Sequence, residues 1–211
     1  MCKGGRKMIA KTNLDQNRRQ YGFLTVDELI ERVGKNNVIF DPYSLLISLN
    51  ATIGVNNVFY PNIIVDVDSN SELTIGSNNH FSAGTHLEAK NGGKLVIGDS
   101  NFFSDGVICI KSNMRTADIQ IMNDTRFEGI INVFGQCQFG AGSQVLGNIS
   151  VYNCILHQGG SYKEPNVESR AGLIKGFGTA RGLEVSRGMV INGWGVFDQK
   201  TMEPQLNYHK K

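Results

Sequence analysis

Large apolar residues recur every six positions through the middle of the chain. Ile47, Ile53, Phe59 and Val65 form one run; Ile75, Phe81 and Leu87 a second; Ile97, Phe103 and Cys109 a third; Phe127, Val133, Phe139, Val145 and Val151 a fourth. A helix face requires spacings of three and four, and a half-buried strand requires strict alternation. A step of six fits neither. The steps lie inside a longer repeat: the twelve residues from Leu73 to Gly84 align with those from Leu95 to Gly106 at a shift of 22, sharing Leu, Ile, Gly, Asn, Phe, Ser and Gly. Extended both ways, the repeat yields two ladders, Ile53, Ile75, Ile97, Ile121 and Phe139, and Phe59, Phe81, Phe103, Phe127 and Val145. Repeats of this length mean stacked units. The shortest unit, from Ile121 to Phe139, is three steps of six. The pattern therefore predicts a coil of three short strands per turn, each giving one large side chain to a shared interior.

Polar positions mark the corners. Glycine follows the first ladder at Gly54, Gly76, Gly98 and Gly140, and a small polar residue stands four places after it at Asn57, Asn79, Asn101, Thr125 and Ser143. These are expected at positive φ, which Gly and Asn tolerate. The extra residues of the longer units fall at 66–72, 88–94 and 111–118. They predict a charged lip carrying Asp66, Asp68, Glu88, Lys90, Lys94, Lys111 and Arg115, either a binding face or a solvated edge. Upstream, Thr25 and Glu28 form a capping box ahead of Val26, Leu29, Ile30 and Val33, with Gly34 as the stop. This helix is expected to close the open end of the coil. Residues 1 to about 22 are polar and read as a loose arm. After Gly160 the period is lost; Leu183, Val185, Val190, Trp194 and Val196 suggest short strands punctuated by glycine. The expected organisation is an arm and capping helix (1–37), a parallel β-helix (38–160) and a C-terminal β-rich extension (161–211).

The pattern resembles the hexapeptide-repeat family of left-handed parallel β-helices, and in particular the start of the acetyltransferase domain of bifunctional N-acetylglucosamine-1-phosphate uridyltransferases. The likeness is carried by Val38-Ile-Phe-Asp-Pro42, Asn50-Ala-Thr-Ile-Gly54 and Tyr60-Pro-Asn62, and covers roughly residues 38–160. It implies an all-β fold of left-handed coils and a homotrimer with active sites between subunits. It also implies an acyltransferase in which a histidine is general base and acetyl-CoA or another acyl-CoA is the donor.

The remaining chemistry is sparse. A net charge of +2 gives no case for nucleic acid. No apolar run is long enough to span a membrane, no secretory leader is evident, and a cytoplasmic location is expected. Cys2, Cys109, Cys137 and Cys154 lack close pairing and read as small apolar residues. Of four histidines, His80 and His86 occupy outward positions, beside Val58 and Phe102 and beside Ile64 and Ile108 on neighbouring coils, which suggests an apolar, interface-like outer surface. Val58 and Phe102 cannot bind a metal, so no metal site is expected. His157 stands in a Gly-rich loop where the coil is expected to end. His157 and His86 are the candidate bases, since imidazole titrates near working pH. Lys175, Gly176, Gly178, Arg181 and Gly182 form the one anion-friendly stretch, expected as a loop holding CoA or a nucleotide-sugar pyrophosphate. It has no P-loop or Rossmann context. The sequence therefore predicts an acyl-CoA-dependent transferase acting on a sugar or nucleotide-sugar acceptor, with a non-catalytic scaffold or carbohydrate-binding module as the alternative.

Overall fold

The computed structural model describes residues 5–209, with side chains from residue 13 onward. Its regular structure is chiefly short parallel strands, each paired with the strand one coil later. The first face stacks Val58–Phe59, His80–Phe81, Phe102–Ser104 and Arg126–Phe134. The second stacks Leu46–Ile47, Ile64–Val67, His86–Ala89 and Ile108–Ser112. The third is a seven-stranded sheet running from Thr52–Ile53 to Glu184–Val185. First and second faces merge from Arg126 onward. There, single strands bend through the corner between them: Arg126–Phe134, Gln144–Tyr152, Leu173–Arg181 and Met189–Val196.

The two predicted ladders pair in register. Phe59, Phe81, Phe103, Phe127 and Val145 are fully buried Cα partners in succession. Their first four rings stack at 5.3, 5.0 and 5.2 Å, close to the ~4.8 Å strand spacing that forces like side chains onto like. Ile53, Ile75, Ile97, Ile121 and Phe139 align the same way on the third face. On the second face the inward row is Val65, Leu87, Ile110, Val133 and Val151. Ile110, and not Cys109, therefore fills this row; an extra residue at the preceding corner shifts the register by one, and Cys109 lies beside His86 on the outer surface. Such a slip moves every side chain to the opposite face.

The small polar residues are more than corner formers. Positive φ falls one place earlier, at Asn56, Asn78, Ser100 and Asp124. Asn57, Asn79, Asn101 and Thr125 are themselves buried. Each donates its backbone amide to the side-chain oxygen one coil back: Asn57 to Asn37 at 2.7 Å, Asn79 to Asn57 at 2.8 Å, Asn101 to Asn79 at 2.9 Å and Thr125 to Asn101 at 2.9 Å. This internal column satisfies backbone groups that the corner would otherwise leave unpaired.

Three further expectations change. The extra residues do not form a lip. They lengthen the strands beside the corner, so that Val67, Ala89 and Ser112 are buried, and the charges pair locally, Lys90 with Asp66 at 2.6 Å and Lys94 with Glu72 at 3.1 Å. Nor does the coil end at 160. Leu173–Arg181 pairs with Gln144–Tyr152, and Met189–Val196 with Leu173–Arg181, after an insertion between His157 and Gly172. The inserted loop hides the period from a sequence reading. Finally, the supposed loose arm contains the helix Gly5–Gln20; residues 1–4, Cys2 among them, lie outside the described part.

Both ends of the coil are closed. The Thr25–Glu28 capping box forms with both of its bonds, and Leu24, Leu29 and Val33 join the core, while Ile30 faces outward. Arg18, at the end of the first helix, is 4% exposed. Its guanidinium donates to the carbonyls of Tyr43 at 2.9 Å, Pro42 at 3.1 Å, Leu45 at 3.2 Å and Leu24 at 3.4 Å. One side chain thus pins the helix to the first coil. Arg18→Ala leaves these carbonyls without a donor and is expected to cost about 2–4 kcal/mol, read as a lower midpoint in chemical denaturation. At the other end Phe197 is buried over Gly193. No helix among the described residues is long and apolar enough to cross a membrane.

Candidate functional site

The outward side of the third face carries a shallow groove of about 390 Å³. Two rows build it. Gln120, Gln138 and Ile155 are successive Cα partners, and Glu184 is next in that row, beyond the groove lining. Beside them run Met122, Gly140 and His157, placed by amides that donate to Phe139, Leu156 and Val185. Gly140 forms the floor because it has no side chain between Met122 and His157. It must be glycine, since a Cβ there would lie 2.4 Å from the Gln158 nitrogen. Gln138, Gln158, Met122 and Ile155 line the remainder. A second depression of about 400 Å³ shares Gln138 and Ile155 and adds Asp118, Gln136 and Asn153.

At the edge of the groove His157 Nε2 lies 2.7 Å from the Glu184 carboxylate. An ionised carboxylate can only accept, so Nε2 carries a proton, and in the neutral ring Nδ1 is then the nitrogen with the lone pair. A histidine oriented by a carboxylate, with one basic nitrogen free, is a general-base arrangement.

The other predicted site residues lie elsewhere. His86 is three coils away on the second face, with its Nε2 shielded from solvent and 3.8 Å from Glu88. Burial, and then the Lys111 cation, hold its pKa below the ordinary histidine range. His80 lies on the first face in a row of rings, Phe40, Tyr60, His80 and Phe102, at centroid spacings of 4.7, 5.1 and 4.7 Å; burial lowers its pKa too. His209 lies 3.1 Å from Arg170.

The anion-holding loop is not a loop. Lys175, Gly176, Gly178 and Arg181 belong to the strand Leu173–Arg181, between two parallel neighbours. Its glycines answer a steric demand at the shared corner: a Cβ at Gly176 would lie 2.0 Å from the Gly193 oxygen, and one at Gly178 1.8 Å from the Gly195 oxygen. Lys175 sits 3.2 Å over the Tyr208 ring and Arg181 4.5 Å over that of Tyr152, on different faces. Gly182 follows at φ +63. These five residues do not converge into a cradle.

Glu184 and Gly140 escape a sequence reading. Glu184 is 27 residues from His157 and meets it only because the insertion between His157 and Gly172 is looped out of the stack. The thiols of Cys137 and Cys154 are buried, and burial pushes Cys137 up to about 12, so it stays protonated. Among the described residues no group of three or more His, Cys, Asp or Glu side chains could hold a metal ion. Comparison of the sequence with protein-family models and with curated proteins gave no significant match.

Proposed function

We propose that the chain is a left-handed hexapeptide-type β-helix that transfers an acyl group from an acyl-CoA to a sugar or nucleotide-sugar acceptor, with His157 as general base. The observation that carries this reading is the His157–Glu184 pair beside the groove floored by Gly140. His157 Nδ1 takes the proton of an acceptor hydroxyl or amine. The acceptor atom attacks the thioester carbonyl, the carbon–sulfur bond breaks, and the imidazolium returns its proton to the leaving thiolate. Glu184 steadies the imidazolium formed between these steps. The free carboxamides of Gln138 and Gln158 can donate to and accept from sugar hydroxyls, while Met122 and Ile155 offer an apolar surface to a ring face. A homotrimer, as the resemblance implies, would set a neighbouring subunit against this open groove and supply the walls it lacks.

The second reading, a carbohydrate-binding protein without turnover, is favoured by the exposed row Phe40, Tyr60 and Phe102. Thiol release from acetyl-CoA in the presence of amino- and hydroxy-sugars separates the two. His157→Ala is expected to slow release at least about a hundredfold, and acetyl-CoA to raise the melting temperature of both proteins. The transferase reading falls if millimolar acetyl-CoA gives no shift and the variant turns over like the wild type. Retention on immobilised glycans without turnover would then support the second.

A further inference from the structure

Glu184 belongs to the last strand of the third face, Glu184–Val185. An edge strand has one side with no strand to pair. At Glu184 a single side chain takes that place. The Glu184 amide donates to Gln199 Oε1 at 2.9 Å, and Gln199 Nε2 donates to the Glu184 carbonyl at 2.8 Å. A carboxamide has the donor and acceptor of a peptide group, so Gln199 substitutes for one residue of an absent strand and fixes the backbone that carries the carboxylate.

Gln199 is itself held. It opens the turn Gln199–Thr201, whose preceding Asp198 accepts from the Lys200 amide at 2.9 Å and from the Thr201 hydroxyl at 2.7 Å. Just before it, Phe197 is anchored in the core, with its amide donating to Thr179 at 2.9 Å. The C-terminal segment thus closes the coil and braces the candidate site by the same stretch of chain.

We propose that Gln199 is a positioning residue for the His157–Glu184 pair, so that the C-terminal turn sets the tautomer and aim of the His157 imidazole. Its consequence for turnover rests on the acyl-transfer reading; its consequence for the imidazole does not. The test uses full-length protein with 15N-labelled histidine at alkaline pH, where imidazole is neutral. Wild type is expected to show His157 with its proton held on Nε2. Glu184→Ala frees the ring to populate both tautomers. Gln199→Met, close in shape but without either bond, is expected to shift His157 in the same direction. Gln199→Glu, which keeps the acceptor for the Glu184 amide, is expected to fall between, and carries the test if Gln199→Met melts too low to measure.

In turnover, Gln199→Met is expected to lower kcat by roughly tenfold with KM little changed, as a small misplacement of a catalytic group does. Ring signals identical to wild type in both Gln199 variants, with Glu184→Ala shifted, would overturn the proposal. An unshifted Glu184→Ala would overturn it also, because the pair itself would be absent. A tautomer shift in a protein that never turns over acyl-CoA leaves the positioning role standing and removes acyl transfer instead.

Discussion

Phe103→Ala is expected to destabilise the protein by about 3–5 kcal/mol, the cost of emptying a large site in a packed core. Phe103 is wholly buried at the centre of the aromatic column, with the Phe81 ring 5.0 Å on one side and the Phe127 ring 5.2 Å on the other. Its neighbours cannot close the gap, because each ring is fixed in height by its own strand and the strands by their hydrogen bonds. Urea denaturation followed by circular dichroism would show the loss as a lower midpoint. Phe103→Leu, which refills much of the volume, should recover a large part of it. A loss below about 1 kcal/mol for Phe103→Ala would mean that the column is not the core of the fold.

Gly147→Ala is expected to cost at least about 3 kcal/mol, although it adds one methyl group. Gly129, Gly147, Gly176 and Gly193 stack at the corner where the first and second faces merge. Gly147 has φ +126, and a Cβ there would lie 2.1 Å from the Gly176 carbonyl oxygen. The obstacle is backbone of the next coil, so relief requires the coils to part and the ladder bonds on both sides to stretch. Gly182→Ala is the control. It too has positive φ, at +63, but nothing lies within 4 Å of its Cβ, so only the backbone preference is lost, about 1–2 kcal/mol. Thermal melts of the two variants side by side separate steric stacking from conformational preference. Equal losses would show that close approach of the coils contributes nothing.

What could be read from residues alone is what repeats. Phe59, Phe81, Phe103 and Phe127 announce their stacking because a strand one coil later stands directly over its predecessor, so one spatial demand is written several times at nearly constant spacing. The Thr25–Glu28 capping box was equally legible, since both partners lie within one helical turn. Single residues brought together over distance were not. Nothing in the sequence marks Arg18 as the residue that reaches Leu45 and pins a helix, because its four acceptors are main-chain carbonyls. The stretch Lys175–Gly182 looked like an anion loop because glycine serves loops and crowded corners alike; the stacking partners Gly193 and Gly195 choose between them. Cys109 gave up its inward place to Ile110 through one extra corner residue, which local spacing does not weigh. The meeting of His157 with Glu184, braced by Gln199, depends on which residues the insertion between His157 and Gly172 leaves in register and on how the chain folds back after Phe197. Period reports the stacking of equivalent positions, whereas a site assembled from unrepeated side chains exists only once the coils are wound.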